Sequence, residues 1–282
     1  MSYSESNIII LFVKLFVDEL MADSFVKFIC IFPVTCFMIA VMKTFPTFDI
    51  ENEIVGARSA RPGGGQTPPL QENFFIAGVD EAGRGPLCGP VVAAAVIFPS
   101  LGGVAAQAAE EGSSPPSSPI RATPSLWGGI RDSKQMTHAQ RSLAYDWIME
   151  NCLVGIGQCS PVEIDELNIL HASMLAMKRA IAALPHPPEF CLVDGNRLPV
   201  DVIGRAVVKG DSKSLSIAAA SIIAKETRDK IMCELAAMHP QYGWDKNAGY
   251  PTAAHLQAIK EFGINQHYRK SYKPVKDLIW QS

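Results

Sequence analysis

The chain has 282 residues, 48% of them hydrophobic, and a formal net charge of −3 at neutral pH. That length and apolar content supply one core of ordinary domain size with appendages. Seven cysteines, an odd number with no Cys-x-x-Cys, exclude a disulfide scaffold and point to a reducing compartment. The slight acidity argues against a nucleic-acid partner until its distribution is considered. From Arg205 onward there are 12 Lys/Arg against 7 Asp/Glu, and before it 13 against 21. A basic C-terminal third beside an acidic remainder lets one part follow a phosphate backbone while the other holds cations. An ordinary solvated face is the plain alternative.

Residues 1–55 form an apolar N-terminal extension. Ile8 to Val17 is apolar around Lys14, and Phe25 to Met42 holds Lys27, Pro33 and Thr35. The uncharged stretch from Phe28 to Met42 is shorter than the about 20 residues a spanning helix needs. No positive charge precedes Ile8, and Asp18-Glu19 follows, which does not fit a signal peptide. The extension reads as an interfacial anchor, a helical appendage, or sequence upstream of a true start at Met38 or Met42. The last is favoured, so removing residues 1–41 is expected to leave activity intact, and neither membrane contact nor a location other than the cytoplasm is expected. Residues 56–72, with Pro62-Gly-Gly-Gly-Gln and Thr67-Pro-Pro, read as a flexible linker, and 73–282 as the main domain.

Phe74 to Asp80 predicts a strand and Val91 to Phe98 another, joined by a turn holding Gly83-Arg84-Gly85. Strand alternation separates Asp80 from Glu81 unless the chain bends just after Asp80, which Gly83 and Gly85 permit. Residues 99–126, with Ser113-Ser-Pro-Pro-Ser-Ser-Pro119, are a low-complexity insertion. Thr137-His-Ala-Gln140 is a capping box opening a helix to about Asn151. Leu153–Cys159 is the third strand. Ser160-Pro-Val-Glu163 is a second capping box, opening a helical region through Leu184. Phe190–Asp194 and Val202–Val208 are the remaining strands. Long helices follow at Leu215 to Met238 and Pro251 to Phe262, the latter capped by Gly263.

Asp194 and Asp211, like Asp80, stand where a strand stops, and sites in open α/β sheets form at strand ends. Four converging carboxylates, Asp80, Glu81, Asp194 and Asp211, would repel one another unless cations neutralise them. An all-oxygen set without zinc-type His or Cys spacing suits Mg2+ or Mn2+. Three unrelated surface turns are the alternative. Cys88 reads as a small packed residue.

Seven phrases stand in order along the chain: Gly78-Val-Asp-Glu-Ala-Gly-Arg-Gly-Pro86, Asp132-Ser-Lys134, Glu163-Ile-Asp-Glu-Leu-Asn-Ile-Leu-His171, Val193-Asp-Gly-Asn-Arg197, Lys209-Gly-Asp211-Ser, Ile217-Ala-Ala-Ala-Ser-Ile-Ile-Ala-Lys225 and Gly249-Tyr-Pro-Thr252. Together they resemble bacterial ribonuclease HII, from about Phe74 to about Lys276. The resemblance implies a ribonuclease H-like α/β fold: a mixed five-stranded sheet flanked by helices, with a helical C-terminal region. It implies an endonuclease that cuts the RNA strand of RNA–DNA hybrids and nicks 5′ of single ribonucleotides in duplex DNA. Two divalent ions, Mn2+ or Mg2+, would be held by Asp80, Glu81, Asp194 and Asp211, all four family positions being filled. Gly83, Arg84 and Gly85 would contact the 2′-hydroxyl and its phosphate, and Tyr250 the next sugar. Lys134, Lys209, Lys213, Ser221, Lys225 and Arg228 are candidates for phosphate contact, as is the tail from His267 to Lys276. His171, His255 and His267 need no metal duty. A monomer without an obligate protein partner is expected.

Overall fold

The computed structural model describes residues 46–59, 74–98 and 136–279. The apolar N-terminal stretches, most of the linker, the insertion at 99–126 and Asp132-Ser133-Lys134 lie outside the described residues. Five strands, β1 (Ile76–Ala82), β2 (Val91–Ile97), β3 (Leu153–Cys159), β4 (Phe190–Asp194) and β5 (Gly204–Val207), form one sheet in the order β3-β2-β1-β4-β5. The first three pair antiparallel and the last two join parallel to β1, which is therefore central. The helices are α1 (Asp49–Ser59), α2 (His138–Asn151), α3 (Pro161–Ala182), α4 (Leu215–Met238), α5 (Trp244–Asn247), α6 (Ala253–Phe262) and α7 (Lys273–Ile279).

The two capping boxes form as the sequence dictates. Thr137 and Ser160 each accept from the backbone N–H three residues on, while Gln140 and Glu163 return the bond. Helix α3 is broken at Asn168, whose φ is 64° and whose Oδ1 accepts from the Leu170 and His171 N–H groups. Asn tolerates that left-handed backbone and caps the second half of the helix with its own side chain. The sheet is a middle layer. Ala77 and Val79 of β1 pack with the α3 side, through Ala172, Ala176 and Ala180. Ala94 and Val96 of β2 pack on the opposite side with α4, whose run Leu215 to Ala224 is buried throughout.

Gly78 shows how closely α4 approaches. A Cβ built there would lie 2.1 Å from the Ser216 carbonyl carbon and 2.4 Å from its oxygen. Backbone atoms cannot step aside as a flexible side chain does, so Gly78→Ala is expected to cost about 3 kcal/mol or more. Urea unfolding of the variant against the parent measures this, and an unchanged midpoint would contradict the close approach.

Helix α1 departs from the sequence reading, which divided its residues between an extension and a linker. Ile50, Ile54 and Val55 pack on Ile76, Leu192, Val207 and Ile217 at the parallel end of the sheet. Thr47 makes a parallel bridge with Ser214, and the Leu215 N–H donates to the Thr47 carbonyl at 3.0 Å. An Ile at i and i+4 with a Val beside it is a short apolar face. Its brevity beside the apolar stretch upstream hid it.

Candidate active site

Asp80 lies near the C-terminal end of β1, and the neighbouring parallel strand β4 ends at Asp194, one residue beyond the Val79–Val193 pair. Asp211 sits in the 3-10 turn Gly210–Ser212 just after β5. The Gly210 N–H of that turn donates to Asp194 Oδ1 at 2.7 Å. Three acids from distant parts of the chain thus lie at the C-terminal edge of the sheet; Asp194 and Asp211 follow strand ends as expected, whereas β1 continues past Asp80 to Ala82.

Burial first, then the charges of Glu81, Asp194 and Asp211, hold the Asp80 carboxyl well above the ordinary carboxylate range. Burial likewise raises Glu81, against the lowering effect of Arg84. Asp80 is only 7% exposed, so its field is poorly screened. The anticipated bend just after Asp80 is absent. Pairing with β2 stays in register through Ala82–Val92, and the turn comes at Gly83, with φ 98°. The reason is that β2 supplies hydrogen bonds for the whole of β1 after β4 has ended. The Glu81 N–H donates to Asp80 Oδ1 at 2.7 Å, while Glu81 Oε1 accepts from Arg84 at 3.1 Å.

This donor set suits a divalent cation. Its chemistry fits: four hard oxygen carboxylates, one of them buried among the others' negative charge, gain most from a hard cation. Among the described residues no three His, Cys, Asp or Glu side chains stand close enough to grip an ion as they are. The cause is local, since Glu81 is turned to Arg84 and Asp194 to Gly210.

The turn after β1 is held by two buried arginines. Arg269 is fully buried and donates to the carbonyls of Gly83 (2.6 Å), Arg84 (3.1 Å), Pro86 (2.8 Å) and Gly89 (2.9 and 3.0 Å). Arg228 donates to the carbonyls of Cys88, Pro90 and Ala248. Burial, with Arg269 adding, pushes the Arg228 guanidinium down to about 10. Tyr272 donates its hydroxyl to the Arg84 carbonyl at 2.5 Å. The Arg84 side chain stays exposed, and a Cβ on Gly85 would touch the Tyr250 ring at 3.3 Å. Tyr250, 47% exposed, therefore lies over the Gly83-Arg84-Gly85 turn.

Arg228 is a correction to the sequence reading. It is 2% exposed with its nitrogens spent on backbone carbonyls, so it holds the turn rather than meeting phosphate. Its place between Ala224 and Met232, four residues to either side on the buried stripe of α4, was the available signal. Arg269, read as part of a gripping tail, is likewise interior, and no local pattern marks it. Ser221 is buried on the same helix. Lys225 is half-buried and bound to both Asp229 oxygens at 2.6 Å. Lys209 is exposed in a left-handed conformation, φ 55°, and Lys213 donates to the Val208 carbonyl.

The remaining candidates sort by surroundings. Cys88 is buried and desolvation pushes its thiol up to about 12, which suits packing and not nucleophilic attack. His171 is exposed. His255 is buried: Nε2 accepts from Trp244 Nε1 at 3.1 Å, so Nδ1 carries the proton and donates to the Tyr250 carbonyl at 2.8 Å. His267 is half-buried against His239 and Trp244.

Known proteins share this chain's sequence and fold. The family model described as ribonuclease HII matches residues 126–275. A ribonuclease HII of Magnetococcus marinus is 51% identical over 208 residues, covering 72% of this chain and 87% of its own. Among solved structures, ribonuclease H2 from Pyrococcus horikoshii superposes with TM-score 0.54 at 23% identity, over 73% of this chain and 98% of its own. Bst ribonuclease HIII in complex with Mn2+ superposes with TM-score 0.53 at 19% identity, over 82% of this chain and 80% of its own. The architecture is thus ribonuclease H-like, and the chain belongs to the ribonuclease HII family.

Proposed function

We propose that this enzyme hydrolyses the RNA strand of RNA–DNA hybrids and nicks 5′ of single ribonucleotides embedded in duplex DNA, leaving 5′-phosphate and 3′-hydroxyl ends. The observation that carries the reading is the buried Asp80 carboxyl, raised by burial and by Glu81, Asp194 and Asp211, beside the Gly83-Arg84-Gly85 turn. Asp80, Glu81, Asp194 and Asp211 would hold two divalent ions, Mn2+ or Mg2+; the Mn2+ complex of the Bst neighbour supports this choice. Bound there, such ions lower the pKa of a water and stabilise the leaving oxygen.

The chain's own residues supply substrate choice. Only the 2′-hydroxyl distinguishes RNA from DNA at a given sugar. The turn that Arg228 and Arg269 hold rigid presents Gly83, Arg84 and Gly85 for that hydroxyl and the adjoining phosphate. The exposed Tyr250 ring beside it packs on the following sugar, so the pair reads a junction and not a base. Lys209 and Lys225, with Lys134 and Ser221, complete the phosphate track in this reading. The work assigned is removal of ribonucleotides from DNA and of RNA primers, in the cytoplasm, by a monomer without an obligate protein partner. Residues 73–282, with α1 packed on the sheet, form the catalytic domain in this reading. No helix among the described residues is long and apolar enough to cross a membrane.

The test is a DNA duplex with one ribonucleotide beside an all-DNA duplex, each with Mg2+, Mn2+ or chelator. A metal-dependent nick 5′ of the ribonucleotide, with the all-DNA duplex intact, is expected. No cut with either metal would leave a hybrid-binding protein as the better reading. Tyr250→Ala is expected to slow cutting at the single ribonucleotide about tenfold or more, the usual scale for a central aromatic contact. Equal rates for parent and variant on that duplex would remove Tyr250 from junction sensing.

A further inference from the structure

Glu51 of α1 is a fully buried carboxylate outside the four acids. One of its oxygens, Oε1, gathers three donors from the start of α4: the Ser214 hydroxyl at 2.6 Å, the Ser216 hydroxyl at 2.6 Å and the Ser216 N–H at 3.2 Å. The two serine hydroxyls lie 3.1 Å apart, and Ser214 also caps α4 by accepting the Ile217 N–H. The other oxygen, Oε2, is buried with no hydrogen-bond partner. A buried carboxylate half-satisfied in this way is costly, and an apolar side chain of similar volume serves stability as well or better. The positive end of the α4 dipole offsets part of that cost. What the carboxylate adds is a fixed position for the segment it holds.

That segment is the one that sets two of the four acids. The N–H groups of Lys213 and Ser214 donate to the Gly210 carbonyl at 2.9 and 2.8 Å, closing the turn that carries Asp211. The Gly210 N–H of the same turn donates to Asp194 Oδ1. A second strut runs alongside, from the Thr47 carbonyl to the Leu215 N–H. The route from Glu51 to both acids is therefore short: carboxylate to Ser214, Ser214 to Gly210, Gly210 to Asp194, with Asp211 the next residue of the turn.

We infer that Glu51 is a positioning residue for cation binding, holding the 210–214 turn so that Asp211 and Asp194 face Asp80 in the geometry an ion needs. The inference rests on the proposed assignment of those acids as metal ligands. Groups that orient metal ligands from behind are worth about 10–100-fold in metal affinity.

The experiment is calorimetric titration of Mn2+ into the metal-free full-length chain, with hybrid cleavage followed against Mn2+ concentration and hybrid affinity measured in chelator. Glu51→Ala is expected to weaken Mn2+ binding by about tenfold or more. Its cleavage should recover at excess Mn2+, and its hybrid affinity in chelator should match the parent. A turn that served folding alone would lower the unfolding midpoint without moving the Mn2+ curve, and a folded Glu51→Ala with the parent's Mn2+ affinity overturns the inference. Should Glu51→Ala not fold, Glu51→Gln and Ser216→Ala, which each keep part of the network, are expected to shift Mn2+ binding a few-fold in the same direction. No shift in either has the same overturning force. Asp211→Asn is the control for the underlying assignment. If it binds Mn2+ as the parent does, the ligand assignment falls and this inference with it. If it loses binding while Glu51→Ala keeps it, only the role of Glu51 falls.

Discussion

Asp80→Asn is expected to remove cleavage, by on the order of 10³-fold or more, while making the metal-free protein more stable at neutral pH. On the proposed assignment, the rate loss follows from taking a buried charge out of the group that would hold the ions, whose stabilisation of the transition state is worth several kcal/mol, each roughly 1.4 kcal/mol being tenfold. The gain in stability follows from the direction of the Asp80 shift. Its carboxyl is raised by burial and by Glu81, Asp194 and Asp211, so the folded metal-free protein binds that proton more tightly than the unfolded chain. Stability linked to such a group is fully present below its unfolded pKa, about 3.9, and is lost as pH rises through the folded value. Asparagine keeps the shape without the charge and escapes that loss. Thermal unfolding in chelator should therefore show a higher midpoint for the variant at pH 7, the gap closing as pH falls toward 4. Hybrid binding should persist. A variant that cleaves near the parent's rate would refute the role of Asp80, and one less stable than the parent at pH 7 would refute the electrostatic account.

Arg269→Ala is expected to have the largest effect on folding. Its guanidinium serves four backbone carbonyls of the turn from Gly83 to Gly89 and the Tyr272 hydroxyl. Truncation leaves those acceptors in a dry interior and opens a cavity, which together cost about 3–5 kcal/mol. For a domain of this size that is roughly a 10 °C fall in the unfolding midpoint. Arg269→Lys is expected to fail nearly as badly, because one ammonium cannot reach carbonyls that a planar fork spans. Cutting at a single ribonucleotide should fall further than non-specific hybrid affinity, since the turn that loosens is the one carrying Gly83, Arg84 and Gly85. A lysine variant with the parent's midpoint would show that the fork is not needed.

The core of this fold was legible because periodic patterns and end signals agreed. Leu153–Cys159, Phe190–Asp194 and the helix Leu215–Met238 stand where alternation, flanking turns and Pro240 put them. Both capping boxes close because their spacing alone specifies the bonds. Elements set by partners far away were harder to read. The strand β1 runs straight past Asp80 because β2 continues beside it, which no residue near Asp80 announces. Arg228 and Arg269 read as surface cations because the carbonyls that bury them come from elsewhere in the chain. Glu51 stands in a short helix that its apolar surroundings disguised, and its partners lie more than 160 residues away. The ends of β4 and β5, by contrast, are a topological property, and so Asp194 and Asp211 were legible; Asp80 joins them because β4 stops pairing beside it, although β1 itself continues to Ala82.

The order of the strands has a consequence for how the protein comes into being. The pair β1–β2 closes across a short turn, but β1 meets β4 only after the chain has returned, the Phe75 and Glu189 contact spanning 114 residues. Long-range closures of this kind form late, because loop entropy is lost before any contact repays it. Asp80 is thus in place on an early hairpin while Asp194 and Asp211 are still absent. A nascent or partly refolded chain then carries only Asp80 and Glu81 of the four acids, and on the proposed assignment it cannot cut until Asp194 and Asp211 join them. In a refolding experiment, nicking should trail the recovery of secondary structure and coincide with the docking of β4.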